Sequence, residues 1–127
     1  MFSHVMLGAK DVAASRRFYD ATLGALGVSP GREDDKGRVF YRGAGGVFGL
    51  GKPIDGAEAC PASGGTIGFA APSPEAVHAW HEAGVAHGGT ACEDPPGVRE
   101  GMGVKLYLAY LRDPAGNKLC ALCRMPA

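Results

Sequence analysis

The sequence predicts an α+β fold built from two βαβββ modules, whose curved mixed sheets form a cup with a helix packed outside each. Three observations carry this expectation. With His4 laid on Thr66, HVMLGAKDVAASRRFYD falls on TIGFAAPSPEAVHAWHE, so that Val5 meets Ile67, Leu7 meets Phe69, Asp11 meets Ser73 and Phe18 meets Trp80. Each copy reads as a short alternating strand, a polar capping residue and an amphipathic helix with a large aromatic near its end. Apolar alternating segments separated by Gly- and Asp-rich turns follow the first copy, and a clear hairpin, KLYLAYLR then DPAGN then KLCALCR, ends the second.

In order, residues 2–7 alternate as a strand, and Asp11 is the expected N-cap of a helix over 12–23, in which Val12, Ser15, Phe18 and Thr22 or Leu23 share one face. Gly24 and Gly27 are expected to stop it. Strands follow at 28–33, 38–42 and 46–52, with turns at 34–37 and 43–46. The first module covers about 1–53, a linker 54–64, and the second module 65–127. There the strand is 65–70, Ser73 is the N-cap with Pro74 at the first helical position, and Gly84 is expected to end the helix. A strand at 89–92, a loop at 93–103 and the hairpin complete the chain.

A chain of 127 residues can bury one core, whereas half of it would be marginal alone, so the halves should pack together or with a partner. Net charge is zero and the basic residues are scattered, which excludes the electrostatic footprint of a nucleic-acid binder. No apolar run reaches the roughly 18 residues of a membrane span, and Met1 leads straight into a strand pattern, so a cytoplasmic protein is expected. Cys60, Cys92, Cys120 and Cys123 are then expected reduced. Cys120 and Cys123, three apart on a strand, face opposite sides and cannot share a ligand.

FSHVMLG with Asp11, the FYDATLGALG helix, the GGTIGFAAPSPEAVHAWHEAG unit and LRDPAGNKLCALC together resemble the vicinal oxygen chelate superfamily, which includes glyoxalase I, bleomycin-resistance proteins and extradiol dioxygenases. The resemblance implies a ligand in the cup, a homodimer in which paired modules complete each cup, and a divalent metal such as Zn, Ni, Mn or Fe held from four strand positions. Those positions fall here on His4, Phe48 or Gly49, Thr66 and Cys120. One imidazole and one thiol are too few for the usual tight site, so the expectation is no resident cofactor, with His4 the one metal-ligand position retained. Glyoxalase-type lyase chemistry needs a base and an electrophile beside a carbonyl, and no carboxylate lands on a cup-facing position to supply the base.

His4 and Cys120 are therefore the candidate catalytic pair. His4 is a base or hydrogen-bond partner to a ligand, or else a structural histidine of the cup floor. Cys120 is a nucleophile activated by His4, or else an inert buried thiol. Thr66, Arg99, Tyr110 and Leu122 are the candidate ligand-binding residues: Arg99 as a carboxylate clamp from the 93–103 loop, Leu122 as cup wall, and Tyr110 on a strand where it and Tyr107 take opposite faces and the pattern leaves open which is inward. His78 and His81, one helical turn apart on an outer helix, read as a solvated face. The functional expectations are a binding protein for a small organic ligand with the metal site incomplete, a metal-dependent lyase using His4, or an antibiotic-binding resistance protein.

Overall fold

The computed structural model describes residues 1–126; Ala127, the expected end of the second module, lies outside the described residues. The first half runs β1 (His4–Gly8), α1 (Val12–Ala25), β2 (Arg32–Glu33), β3 (Val39–Gly43) and β4 (Gly46–Gly51). The second repeats the order as β5 (Ile67–Ala70), α2 (Pro74–Ala86), β6 (Thr90–Gly101), β7 (Val104–Arg112) and β8 (Lys118–Arg124). Both sheets have the same topology, β1-β4-β3-β2 and β5-β8-β7-β6, with the first strand parallel to the last and the remaining pairs antiparallel. The sheets stay separate, so no closed barrel forms, and β1 and β5 are free edges.

Local chemistry starts both helices as the sequence predicts. The Asp11 carboxylate accepts from the Ala14 N–H at 3.2 Å, and the Ser73 hydroxyl accepts from the Ala76 N–H at 3.1 Å. α1 runs through Gly24 to Ala25 and is stopped by the second expected glycine, Gly27 at φ 90°, whereas α2 runs through Gly84 to Ala86. Gly84 is a packing residue: a Cβ there would collide with Leu111 and lie 3.2 Å from the Phe18 ring and 3.3 Å from Thr22. Its absence lets α2 close on α1 and β7.

Strand alternation divides each sheet into a helix side and an open side. Val39, Tyr41, Phe48 and Leu50 of the first sheet join Phe18 and Tyr19 of α1 in the core, as Leu111, Leu119 and Ala121 of the second join Val77 and Trp80 of α2. Leu7, Ile67 and Phe69 pack against this core, on the helix side. The Phe48 and Phe69 rings meet edge to face at 5.3 Å and join the halves.

A second joint is polar. The Tyr19 hydroxyl donates to Asp113 Oδ2 at 2.5 Å, and Asp113 Oδ1 accepts from the N–H groups of Ala115 and Asn117, both at 2.9 Å. Asn117 Nδ2 then reaches the Gly8 carbonyl at 3.0 Å. The RDPAGN turn thus ties β7 and β8 to β1 and α1, so its residue pattern serves assembly of the halves.

Two strand expectations need correction. The poor strand at 28–33 shrinks to Arg32–Glu33. The loop expected at 93–103 is instead mostly strand, because β6 continues to Gly101 across a register shift between Cys92 and Gly97. β6 is the edge of its sheet, where a bulge absorbs Pro95 and Pro96 without breaking a central ladder, and Glu93 turns the chain at φ 57°.

Candidate functional site

A concavity of about 840 Å³ lies where the two halves meet. Its walls come from β1, the end of α1, the β3–β4 hairpin and the whole of β5, and they are predominantly apolar: Val5, Leu23, Leu26, Phe48, Ile67 and Phe69. Ser3, His4, Ser29 and Arg42 add polar groups. The duplicated strand placed β1 and β5 as counterparts, and as free edges they leave this space between the modules. His4 is exposed, and its Nδ1 lies 2.7 Å from the Ser3 hydroxyl.

The other candidates do not line this cavity. Tyr110 and Cys120 face each other across β7 and β8, flanked by the pairs Leu108–Leu122 and Arg112–Lys118, so these six residues share the open side of the second sheet. This settles which side Tyr110 takes: Tyr107, of opposite parity, meets His78 of α2 on the helix side. The contact accounts for one of the two helix histidines. His81 has its pKa lowered by burial and by the neighbouring His78.

Cys120 is buried and its Sγ donates to the Ala121 carbonyl at 3.6 Å. Burial pushes its thiol pKa up, against the Tyr110 hydroxyl and the Arg99 charge, which pull it down. At neutral pH it is a protonated thiol, the opposite of an activated nucleophile. Burial likewise raises the Tyr110 phenol. Arg99 donates to the carbonyls of Asp94 and Pro95 at 3.1 and 3.0 Å, so its guanidinium is engaged in closing its own bulge. Glu93, at the base of that bulge, pairs with Lys118, whose ammonium sits 4.9 Å from the Tyr110 ring centroid.

Thr66 lines a second, polar concavity of about 330 Å³, with residues 61–65 on one side and Arg112 and Lys118 on the other. Sequence reasoning missed both cations. The signal was the parity of β7 and β8, which puts Arg112 and Lys118 in line with Tyr110 and Cys120.

A family-type divalent metal does not fit these residues. Register assigns the open-side position on β4 to Gly49, because Phe48 is in the core. Gly49 offers no donor, and its Cβ space is taken by the Met6 thioether and the Phe40 ring. Thr66 faces two cations, and Cys120 is a single buried thiol. Among the described residues, no three His, Cys, Asp or Glu side chains converge.

The family profile described as Glyoxalase/Bleomycin resistance protein/Dioxygenase superfamily matches residues 1–121. The chain belongs to this superfamily. A crystal structure of a glyoxalase/bleomycin resistance protein from Albidiferax ferrireducens T118 is 57% identical, covers 98% of this chain and 99% of its own, and superposes with a TM-score of 0.94. More distant superfamily structures share the fold. A lactoylglutathione lyase from Agrobacterium tumefaciens is 21% identical with a TM-score of 0.65, covering 97% of this chain and 92% of its own. A glyoxalase-related enzyme from Fulvimarina pelagi is also 21% identical, with a TM-score of 0.71 and coverages of 97% and 87%. Among curated proteins none matches this sequence. Within the superfamily, this member keeps the duplicated architecture.

Proposed function

We propose that this protein binds a small, largely apolar organic molecule in the cavity between its modules, without a resident divalent metal. The cavity carries the reading: about 840 Å³ walled by apolar side chains with a few polar groups is the size and chemistry of a small-molecule site. A binding role, including the trapping of an antibiotic, needs only this. A lyase of the glyoxalase type is the second reading, favoured by one observation, that His4 lines the same cavity and can serve as a base or hydrogen-bond partner. The chain is a homodimer in this reading. Exposed Phe2, Met6, Val98, Met102 and Val104 supply apolar surface for an isologous contact. Four free thiols accord with the reducing cytoplasm.

The test is thermal unfolding of tag-free protein with neutral apolar compounds, beside metal analysis and light scattering of the same sample. Val5 lines the cavity and pairs with Phe48, on the helix side of its sheet, so Val5→Trp enlarges a wall residue into the space. A ligand at 100 times its Kd should stabilise the native protein by about 2.7 kcal/mol, and Val5→Trp should abolish the gain. Equal gain in the variant removes the cavity as the site. Stoichiometric metal lost in His4→Ala removes the metal-free reading.

A further inference from the structure

We propose that the polar concavity beside Thr66 is a separate binding site for the carboxylate or phosphate head of a small organic anion, whose body lies toward Tyr110. Its position and chemistry are independent of the large apolar cavity. Arg112 and Lys118 are directly paired across β7 and β8, so two cations stand side by side at one end of the open face. Opposite them runs Pro61–Ala62–Ser63–Gly64–Gly65–Thr66, closed by the Gly65 N–H donating to the Ala62 carbonyl at 3.3 Å, with Gly64 at φ +85°. Ser63 and Thr66 bring two hydroxyls to this wall, and among the described residues no Asp or Glu lines the concavity.

The cations are positioned rather than loose. Arg112 donates through Nη1 to the Gly116 carbonyl at 2.9 Å, which orients the guanidinium and leaves further N–H donors for an anion. Lys118 is anchored by Glu93 and lies over the Tyr110 ring. With Glu93 counted, the group keeps one net positive charge, so an incoming anion completes the balance.

Beyond the cations the same face becomes apolar. Tyr110 and Cys120 come next, then Leu108 and Leu122, each pair one step of the alternation further along. A bound molecule with its charge between Arg112 and Lys118 therefore has an aromatic surface to lie on. This gradient selects an amphiphilic organic anion over a bare inorganic one. It also gives Thr66, Tyr110 and Leu122 one shared ligand.

The experiment is an amide-shift NMR titration of the full chain with benzoate, phenyl phosphate and, as the neutral control, benzyl alcohol. Saturable shifts at 62–66 and around Arg112 with the anions, absent with benzyl alcohol, are expected. Arg112→Gln should raise the Kd about tenfold, the scale of one charge-assisted contact. Glu93→Gln, which removes the competing carboxylate, should tighten binding; a merely structural role for the cluster would not produce that inversion of sign. A lower Kd for phenyl phosphate than benzoate assigns the head as phosphate, and the reverse order assigns it as carboxylate. Absence of saturation up to roughly 10 mM anion, equal shifts with benzyl alcohol, or native affinity in Arg112→Gln overturns the site. Val5→Trp alters the apolar cavity from the first module and touches no residue of this site, so failure here leaves the proposed function standing, and the converse holds.

Discussion

Cys120 shows how a residue in the right place in sequence can be in the wrong chemical state. The sequence resemblance puts it at an expected metal-ligand position, and pattern alone leaves it open as a nucleophile beside His4. The structure puts His4 on the wall of the apolar cavity and Cys120 on the open side of the second sheet, under Tyr110. Burial then raises the thiol pKa. Iodoacetamide near neutral pH should therefore modify exposed Cys60 first and leave Cys120 largely unmodified. Peptide mass mapping reads this directly, and rapid labelling of Cys120 would restore the nucleophile. Gly49 is the contrasting case. Sequence gives it no donor, and only the structure shows that Met6 and Phe40 already fill the space a carboxylate would need. An alternation pattern reports which face a residue takes, but not what neighbouring strands place over it.

At the scale of elements, the two helix glycines looked alike in sequence and differ in kind. Gly24 lies within α1 with nothing inside 4 Å of a Cβ, whereas a Cβ at Gly84 of α2 meets Leu111, Phe18 and Thr22. Gly24→Ala should stabilise the protein by about 0.5–1 kcal/mol through helix propensity and a less free unfolded chain. Gly84→Ala gains the same propensity and loses more to overpacking, about 1–3 kcal/mol. Urea unfolding of the pair should thus give opposite signs. Helix starts were legible because Asp11 and Ser73 cap through local contacts. Gly84 was misread as a stop because its role depends on α1 and β7. β6 was misread for a similar reason: Pro95 and Pro96 argue against a strand unless the strand is known to be an edge.

For the whole molecule, duplication was the most legible property, since β1–α1 and β5–α2 carry the same cap, alternation and aromatic. What joins the copies was less so, because Tyr19 to Asp113 and Phe48 to Phe69 are contacts across long sequence separations. Buried hydroxyls, one of them in a joint, and a buried thiol make an alkaline liability. Burial raises the pKa of Tyr19, reinforced by Asp113, that of Tyr41, whose hydroxyl donates to Asp20 at 2.8 Å, and that of Cys120. In each case the folded value lies above the ordinary one of 10.0 for tyrosine and 9.0 for cysteine. The folded state therefore keeps protons that the unfolded chain releases. Their stabilisation is complete below the unfolded values and is lost as pH rises toward the folded ones, with a limiting slope of about 1.4 kcal/mol per pH unit for each group. The urea midpoint should fall steeply above about pH 9, and Tyr41→Phe, which removes one titrating group, should make that fall shallower even if it starts from a lower stability. A midpoint that holds level through this range would mean that these buried hydroxyls and the thiol titrate in the folded protein as they do in water.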